Sequence, residues 1–367
     1  MIEIVGKYNT AFVHTDKLDD MSRNQLQSIV DCKFVEGESV HVMPDVHAGK
    51  GSVIGFTCTN NNKRICPNIV GVDIGCGVSV YSLGTKELDL AAIDQFIINN
   101  IPNGFKVHNT NRFCNMFHQK MLERLHTPIA ADKWQYILNS VGTLGGGNHY
   151  IEIDIDQQTG EKYLVVHSGS RHLGVLVAEY FQSLATQVED EAEDLWSIGG
   201  ELRDQYINDM LITQAYAQWN RAAIAKQIID FIGARDDLYC ESIHNYYNID
   251  DNTIRKGAIS ANHGQRVIIP LTMCDGAIIA TGKGNRSVNC SAPHGAGRLY
   301  SRGQANRTIK LEDFEASMQG IYSTSVCKST IDESPFAYKD VADIINNIGE
   351  MVTIDKIIKP IYNFKAH

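Results

Sequence analysis

The chain predicts an α+β fold, a single large mixed α/β domain spanning residues 1–367. Three observations lead there. Segments with helical spacing and segments with strand character follow one another in mixed order, without the strict β–α–β alternation of a doubly wound sheet. No fixed-period repeat or low-complexity linker marks a boundary. The 367 residues, 43% of them hydrophobic, suffice to bury one large core.

Along the chain, Asp16 to Cys32 carries helical spacing, with Leu18, Met21, Leu26 and Ile29 as expected core positions. Ile69 to Leu83 reads as a buried strand broken by Gly71, Gly75 and Gly77. Leu88 to Asn99 is helical, and Tyr163 to His167 is a short apolar strand running into Ser168-Gly169-Ser170. Residues 175–235 form a helical excursion, most of it one long amphipathic helix from Leu211 to Ile232. Arg266 to Pro270 and Ala277 to Thr281 are strands beside turn residues, and Asp340 to Ile348 is a late helix.

Charge and cysteine usage narrow the function classes. A formal net charge of -10 argues against coating nucleic acid through bulk positive charge. The charge is nevertheless segregated. Between Thr281 and Lys310 stand Lys283, Arg286, Arg298, Arg302, Arg307 and Lys310 with no Asp or Glu, whereas Glu189 to Glu193 is an acidic run expected on a solvated helix face. No run of about 20 apolar residues predicts a membrane span. The N-terminus lacks the basic start and apolar core of a signal peptide, and nine cysteines follow no framework pattern, so a cytoplasmic protein with reduced thiols is expected.

Chemistry concentrates in a few glycine-rich segments. Ser291-Ala292-Pro293-His294-Gly295-Ala296-Gly297-Arg298 sets one histidine among small residues, with an arginine four positions on. Such a histidine can attack phosphorus or bind a metal, and the guanidinium suits a phosphate. Asp73-Ile74-Gly75-Cys76-Gly77 puts a carboxylate and a thiol three residues apart. Asn148, His149 and Glu152 follow Gly145 to Gly147, while His167 ends a strand and His244 stands in Ser242-Ile243-His244-Asn245. Taken singly, Cys76 reads as a buried small hydrophobe and each histidine as a hydrogen-bonded core residue. Taken together, Asp73, Cys76, His149, His167 and His244 form a mixed O/S/N set that suits Mn²⁺, Zn²⁺ or Co²⁺. Five ligands fit two ions about 4 Å apart, a recurrent device of phosphoryl transfer, and leave His294 free as a nucleophile. No Walker pattern and no CxxC pair is present.

These segments resemble the RtcB RNA-splicing and RNA-repair ligases. The matching pieces, in the family's order, are Met43-Pro44-Asp45-Val46-His47, Val72-Asp73-Ile74-Gly75-Cys76-Gly77, Gly146-Gly147-Asn148-His149-Tyr150-Ile151-Glu152, His167-Ser168-Gly169-Ser170-Arg171, Arg255-Lys256-Gly257-Ala258, Gly282-Lys283-Gly284-Asn285 and His294-Gly295-Ala296-Gly297-Arg298. The resemblance implies an RtcB-type domain with a dinuclear metal site in a central cleft. It implies a ligase dependent on GTP and two Mn²⁺ ions, in which His294 becomes guanylylated and Asp73, Cys76, His149, His167 and His244 ligate metal. Asn148 is implied near the GMP phosphate, Glu152 and Lys365 near the guanine, and Gly295, Ala296, Gly297 and Arg298 around the nucleotide. Arg171, Lys256, Lys283 and Arg298 are candidates for holding phosphates, with Asp45 and His47 as weaker candidates for the site. The implied substrates are RNAs with broken ends, such as tRNA halves or nicked rRNA, with an archease-like helper protein as a further partner. Pro270-Leu271-Thr272-Met273 stands where the family has Pro-Gly-Ser-Met, and Ala277-Ile278 where it has a Ser-Tyr pair. The chain is also short for the family between His167 and His244 and around residues 100 to 140, which marks a divergent subgroup. Two other readings use the same residues: a dinuclear metal-dependent phosphodiesterase without a nucleotide step, and a non-catalytic protein that binds RNA ends or nucleotides.

Overall fold

A computed structural model describes residues 1–189 and 191–366. Two sheets carry the fold. The first has six strands, in spatial order Ile2–Val5, Thr10–Val13, Val40–His47, Ile54–Thr59, Thr253–Lys256 and Asn245–Asn248. Its pairs are antiparallel except Thr10–Val13 with Val40–His47. The second has seven antiparallel strands, in the order Leu238–Ile243, Gly77–Gly84, Lys162–Ser168, Tyr150–Ile155, Val352–Lys365, Ala277–Gly282 and Arg266–Pro270. The mixture of antiparallel sheets and helices agrees with the α+β expectation.

Every residue of Lys162–Ser168 is buried, as a strand covered on both faces requires. One face of this sheet is covered by the helix Gly200–Ile232, whose Ile224, Ile228 and Ile229 share a core with Ile151, Leu164 and Val166. The N-terminal half of the same helix sends Tyr206, Met210 and Tyr216 into a second core with Tyr247 and Ile254 of the six-stranded sheet. The helix therefore ties both sheets together. It ends where Gly233 adopts a left-handed φ of 61°, with the Ala234 N–H closing on the Ile229 carbonyl at 3.1 Å. A third core joins Met43 of the first sheet to Val267, Ile269, Ile278 and Ala280 of the second.

Several expectations change. The first helix runs Asp20–Val30, with Asp19 capping the Ser22 N–H, and buries Leu26 and Ile29 but leaves Met21 66% exposed. Met21 precedes Leu26 by five residues, about 140° around the helix. Ile69 to Leu83 is not one strand. Pro67–Val70 is a helical turn, residues 71–76 form a tight loop, and the strand begins at Gly77. Gly75 makes that loop feasible, because its φ is +72° and a Cβ there would lie 2.8 Å from Gln214 Cα. The helical part of residues 175–235 falls in the helices Arg171–Ser183 and Gly200–Ile232, with the 3₁₀ turn Glu193–Leu195 and the short strand Ile198–Gly199 between them, so the second helix begins eleven residues before Leu211. The described residues of the acidic run lie on no α-helix. Glu189 pairs with Lys33, Glu191 is 6% exposed, Glu193–Leu195 is a 3₁₀ turn, and Asp190 lies outside the described residues.

Candidate active site

The loop between Pro67–Val70 and Gly77–Gly84 presents Asp73 and Cys76. It is clasped by Asn245, whose carbonyl accepts the Gly75 N–H at 2.8 Å and whose Nδ2 donates to the Asp73 carbonyl at 3.2 Å. His149 immediately precedes Tyr150–Ile155, and His167 sits opposite Tyr150 on the neighbouring strand. His244 lies between Leu238–Ile243 and Asn245–Asn248, with its N–H on the Cys76 carbonyl at 3.0 Å. Four distant segments thus converge. Cys76 Sγ is 3.5 Å from His149 Nε2 and 3.3 Å from His167 Nε2, and Asp73 Oδ2 is 3.1 Å from His149 Nε2. One ligand atom each from Cys76, His149 and His167 lie within 4.8 Å of one another. The His244 ring lies edge-on to that of His167, with centroids 5.3 Å apart.

Two of the imidazoles are oriented from behind. His149 Nδ1 lies 2.8 Å from the Leu144 carbonyl and His167 Nδ1 3.2 Å from the Asn148 carbonyl, which directs both Nε2 atoms at the thiol. Ser170 N–H fixes Asp73 Oδ1 at 3.0 Å. Deeper still, fully buried Arg221 of the long helix donates to the Gly75 carbonyl at 2.8 Å and the Ser168 carbonyl at 3.1 Å, and pairs with Glu241 at 2.9 Å. Its neighbour Asn220 bonds Ser168 Oγ at 2.9 Å and the Gly142 N–H at 2.8 Å. Burial pushes the Cys76 thiol well above its ordinary pKa and the His167 and His244 imidazoles well below theirs. Neutral imidazole is the form that ligates a cation.

His294 follows the short strand Ser291–Pro293, which pairs with Ala258–Ser260. Its ring lies 4.8 Å from that of His244, so the spare imidazole adjoins the ligand cluster. His294 Nδ1 is 2.6 Å from Asp45 Oδ2, and its backbone N–H reaches the same oxygen at 3.2 Å. Asp45 is fully buried on Val40–His47, and its other oxygen is a buried acceptor with no hydrogen-bond partner among the described residues. Gly297, with φ +73°, lets the histidine loop lie against that strand, since a Cβ there would collide with the Asp45 carbonyl.

His167, His244 and His294 open on a cavity that Asn148, Glu152, Gly295, Ala296, Gly297, Arg298 and Lys365 also line. Lys365 Nζ pairs with Glu333 at 3.0 Å and lies 4.9 Å above the Tyr150 ring. Burial would raise the Glu333 carboxyl, but Lys365, Arg302 and Arg298 hold it down at about 2. Glu152 is the opposite case: burial raises it to about 8 against the pull of Asn363, 3.2 Å away, and of Lys365. Tyr150 OH and Asn363 Oδ1 are buried and unpartnered among the described residues, which leaves polar groups beside this cavity for a ligand.

Several of the phosphate candidates have partners within the protein. Arg171 donates to Thr143 Oγ1 at 3.1 Å and to the Gly104 carbonyl at 2.7 Å, bracing two loops. Lys256 is held by the Lys50 and Asn68 carbonyls, and Lys283 by the Gly349 carbonyl. Arg298 and Arg302 do line the cavity, but Asp332 and Glu333 engage them, so the basic segment is locally balanced. His47 lines the cavity, with Nδ1 2.8 Å from the Asp45 carbonyl. Sequence reasoning missed Glu333, Tyr338, Asn363, Asn220 and Arg221 altogether.

A cavity with guanidinium and ammonium groups, a carboxylate-held histidine and an adjoining thiol–imidazole cluster has the make-up of an enzyme site suited to phosphates. The family model described as tRNA-splicing ligase RtcB matches residues 25–135 and 118–366, and the chain belongs to this RtcB family. Among curated relatives, it is 30% identical over 384 residues to RNA-splicing ligase RtcB of Escherichia coli strain K12, covering 91% of each chain. The figures are the same for RNA-splicing ligase RtcB1 of Escherichia coli strain ATCC 25922. RNA-splicing ligase RtcB2 of that strain is 28% identical over 342 residues, covering 83% of this chain and 81% of the relative. Among the described residues, no helix is long and apolar enough to cross a membrane.

Proposed function

We propose that this RNA ligase, a single RtcB-like domain over residues 1–367 working in the cytoplasm, uses GTP and Mn²⁺ to join RNA 3′-phosphate and 5′-hydroxyl ends through a nucleotide carried on His294. The observation that carries this reading is the Asp45–His294 pair beside the ligand cluster. With Nδ1–H donating a hydrogen bond to the Asp45 carboxylate at 2.6 Å, the neutral imidazole keeps the Nε2 lone pair for attack.

The sequence of steps then balances. His294 Nε2 attacks the α-phosphorus of GTP, the bond to the β-phosphate oxygen breaks, and pyrophosphate leaves. An oxygen of the RNA 3′-phosphate attacks the histidine-bound phosphorus, the N–P bond breaks, and GMP passes to the RNA end. The 5′-hydroxyl oxygen of the second RNA attacks the 3′-phosphorus, losing its proton, and GMP departs as the phosphodiester forms. A 2′,3′-cyclic phosphate must first be opened by water. Asp73, Cys76, His149, His167 and His244 fit two Mn²⁺ ions by donor type, and the bound ions would supply positive charge at the phosphate oxygens. Arg298 and Arg302, which line the cavity, would meet phosphate, Asn148 would lie near the GMP phosphate, and Glu152 and Lys365 would bracket the guanine. Split tRNA halves or nicked rRNA would be the substrates, and an archease-like protein a helper of the first step.

The test is self-labelling with α-labelled GTP and Mn²⁺, followed by denaturing separation without acid. Label is expected on the wild type and not on His294→Ala. Equal label on that variant, or none on the wild type, would refute the scheme.

A further inference from the structure

Phe105 is 95% exposed, more than any other large hydrophobic side chain among the described residues. It does not hang on a slack loop. Asn103 to Lys106 form a tight turn closed by the Lys106 N–H on the Asn103 carbonyl at 3.1 Å, with Gly104 at φ +62°. Each neighbouring peptide is tied down. The Gly104 N–H donates to the Gly145 carbonyl at 2.8 Å, and the Leu144 N–H to the Pro102 carbonyl at 2.9 Å. Arg171 holds the Gly104 carbonyl at 2.7 Å, and Tyr136 OH holds the Phe105 carbonyl at 3.0 Å. An aromatic ring is thus presented to solvent on rigid backbone.

Its position gives the ring a use. The turn abuts the glycine loop that leads to Asn148 and His149, and a Cβ at residue 146 would lie 3.7 Å from Gly104 Cα. One residue further, a Cβ at Gly147 would lie 3.8 Å from the guanidinium of Arg302, which lines the cavity. The glycine loop thus stands between the Phe105 turn and the cavity-lining Arg302, with exposed Lys106 next to the ring. A rigid aromatic face beside cationic groups is how proteins grip unpaired nucleotides without reading their sequence.

The geometry points to Phe105 as a stacking platform for an unpaired base near the RNA end whose phosphate enters the cavity. This rests on the RNA-ligase reading. The ring positions the strand and takes no part in bond making, so its removal weakens RNA binding.

The probe is a short single-stranded RNA with a 3′-phosphate and a fluorescent 5′-end, titrated into the full chain and followed by anisotropy. Phe105→Ala should raise Kd about tenfold, in the range of one lost base stack, and Phe105→Trp should restore it. Saturating RNA should also quench the added emission of Phe105→Trp relative to the wild type. An unchanged Kd for Phe105→Ala, or tryptophan emission that RNA does not move, would overturn the inference alone. Failure of the wild type to bind RNA would overturn the ligase reading and this inference with it.

Discussion

His294 Nδ1 lies 2.6 Å from Asp45 Oδ2, and on the proposed mechanism this one contact sets which nitrogen is free to attack. Asp45→Asn keeps the size of the side chain but can turn an amide N–H toward Nδ1. The imidazole proton then moves to Nε2, where it blocks attack. We predict that the rate of self-labelling with GTP falls by about 10² to 10⁴-fold in this variant, measured in single-turnover time courses. A rate like that of the wild type would show that the carboxylate has no such role. The candidate ligands that the fold brings together were legible in the sequence because each sits at a glycine turn or a strand end, where a side chain of unusual chemistry stands out. The Asp45 contact spans 249 positions, and nothing local in Pro44-Asp45-Val46 announces it. Glu333, in Asp332-Glu333-Ser334, has neither glycine nor histidine neighbours to mark it, although it meets Lys365, Arg298 and Arg302.

At the scale of elements, the long helix Gly200–Ile232 is as much part of the site as the strands that bear the ligands. Arg221 joins the Cys76 loop to the end of the His167 strand through two carbonyls and offsets its own charge with Glu241. Arg221→Met removes one partner from a buried pair and orphans both carbonyls, so a loss of about 3 to 5 kcal/mol is expected in urea unfolding. A loss below about 1 kcal/mol would mean that the network is slack. The sequence shows an amphipathic helix here but not its start, since the periodicity is strongest after Leu211 and the N-terminal half faces a different core. The misread stretch from Ile69 to Leu83 has a related cause. Apolar residues on a helical turn, a loop and a strand are nearly all buried, with Val72 partly so, and composition alone cannot separate them. Val352–Lys365 went unseen because its lysines interrupt the alternation, yet it supplies Asn363 and Lys365 to the cavity.

At the scale of the whole molecule, buried imidazoles shape acid stability. Burial lowers His47 to about 4, and His167 and His244 fall well below their ordinary value for the same reason. In the unfolded chain these groups protonate near 6.5. As pH falls, the unfolded state takes up protons first, so stability fully present above about pH 6.5 is lost progressively toward about pH 4. With chelator present, denaturant unfolding should show this decline, and His47→Gln should recover about 1 to 3 kcal/mol of it. Stability that stays flat from pH 7 to 4 would contradict the burial of these rings.

The glycine loop pressed against the strand of Asp45 has a genealogical consequence. Two stretches of gene far apart must inherit compatible changes, because any side chain gained at position 297 displaces the peptide that aims the carboxylate. A side chain at 297 would be tolerated only with a matching retreat of the strand that carries the carboxylate.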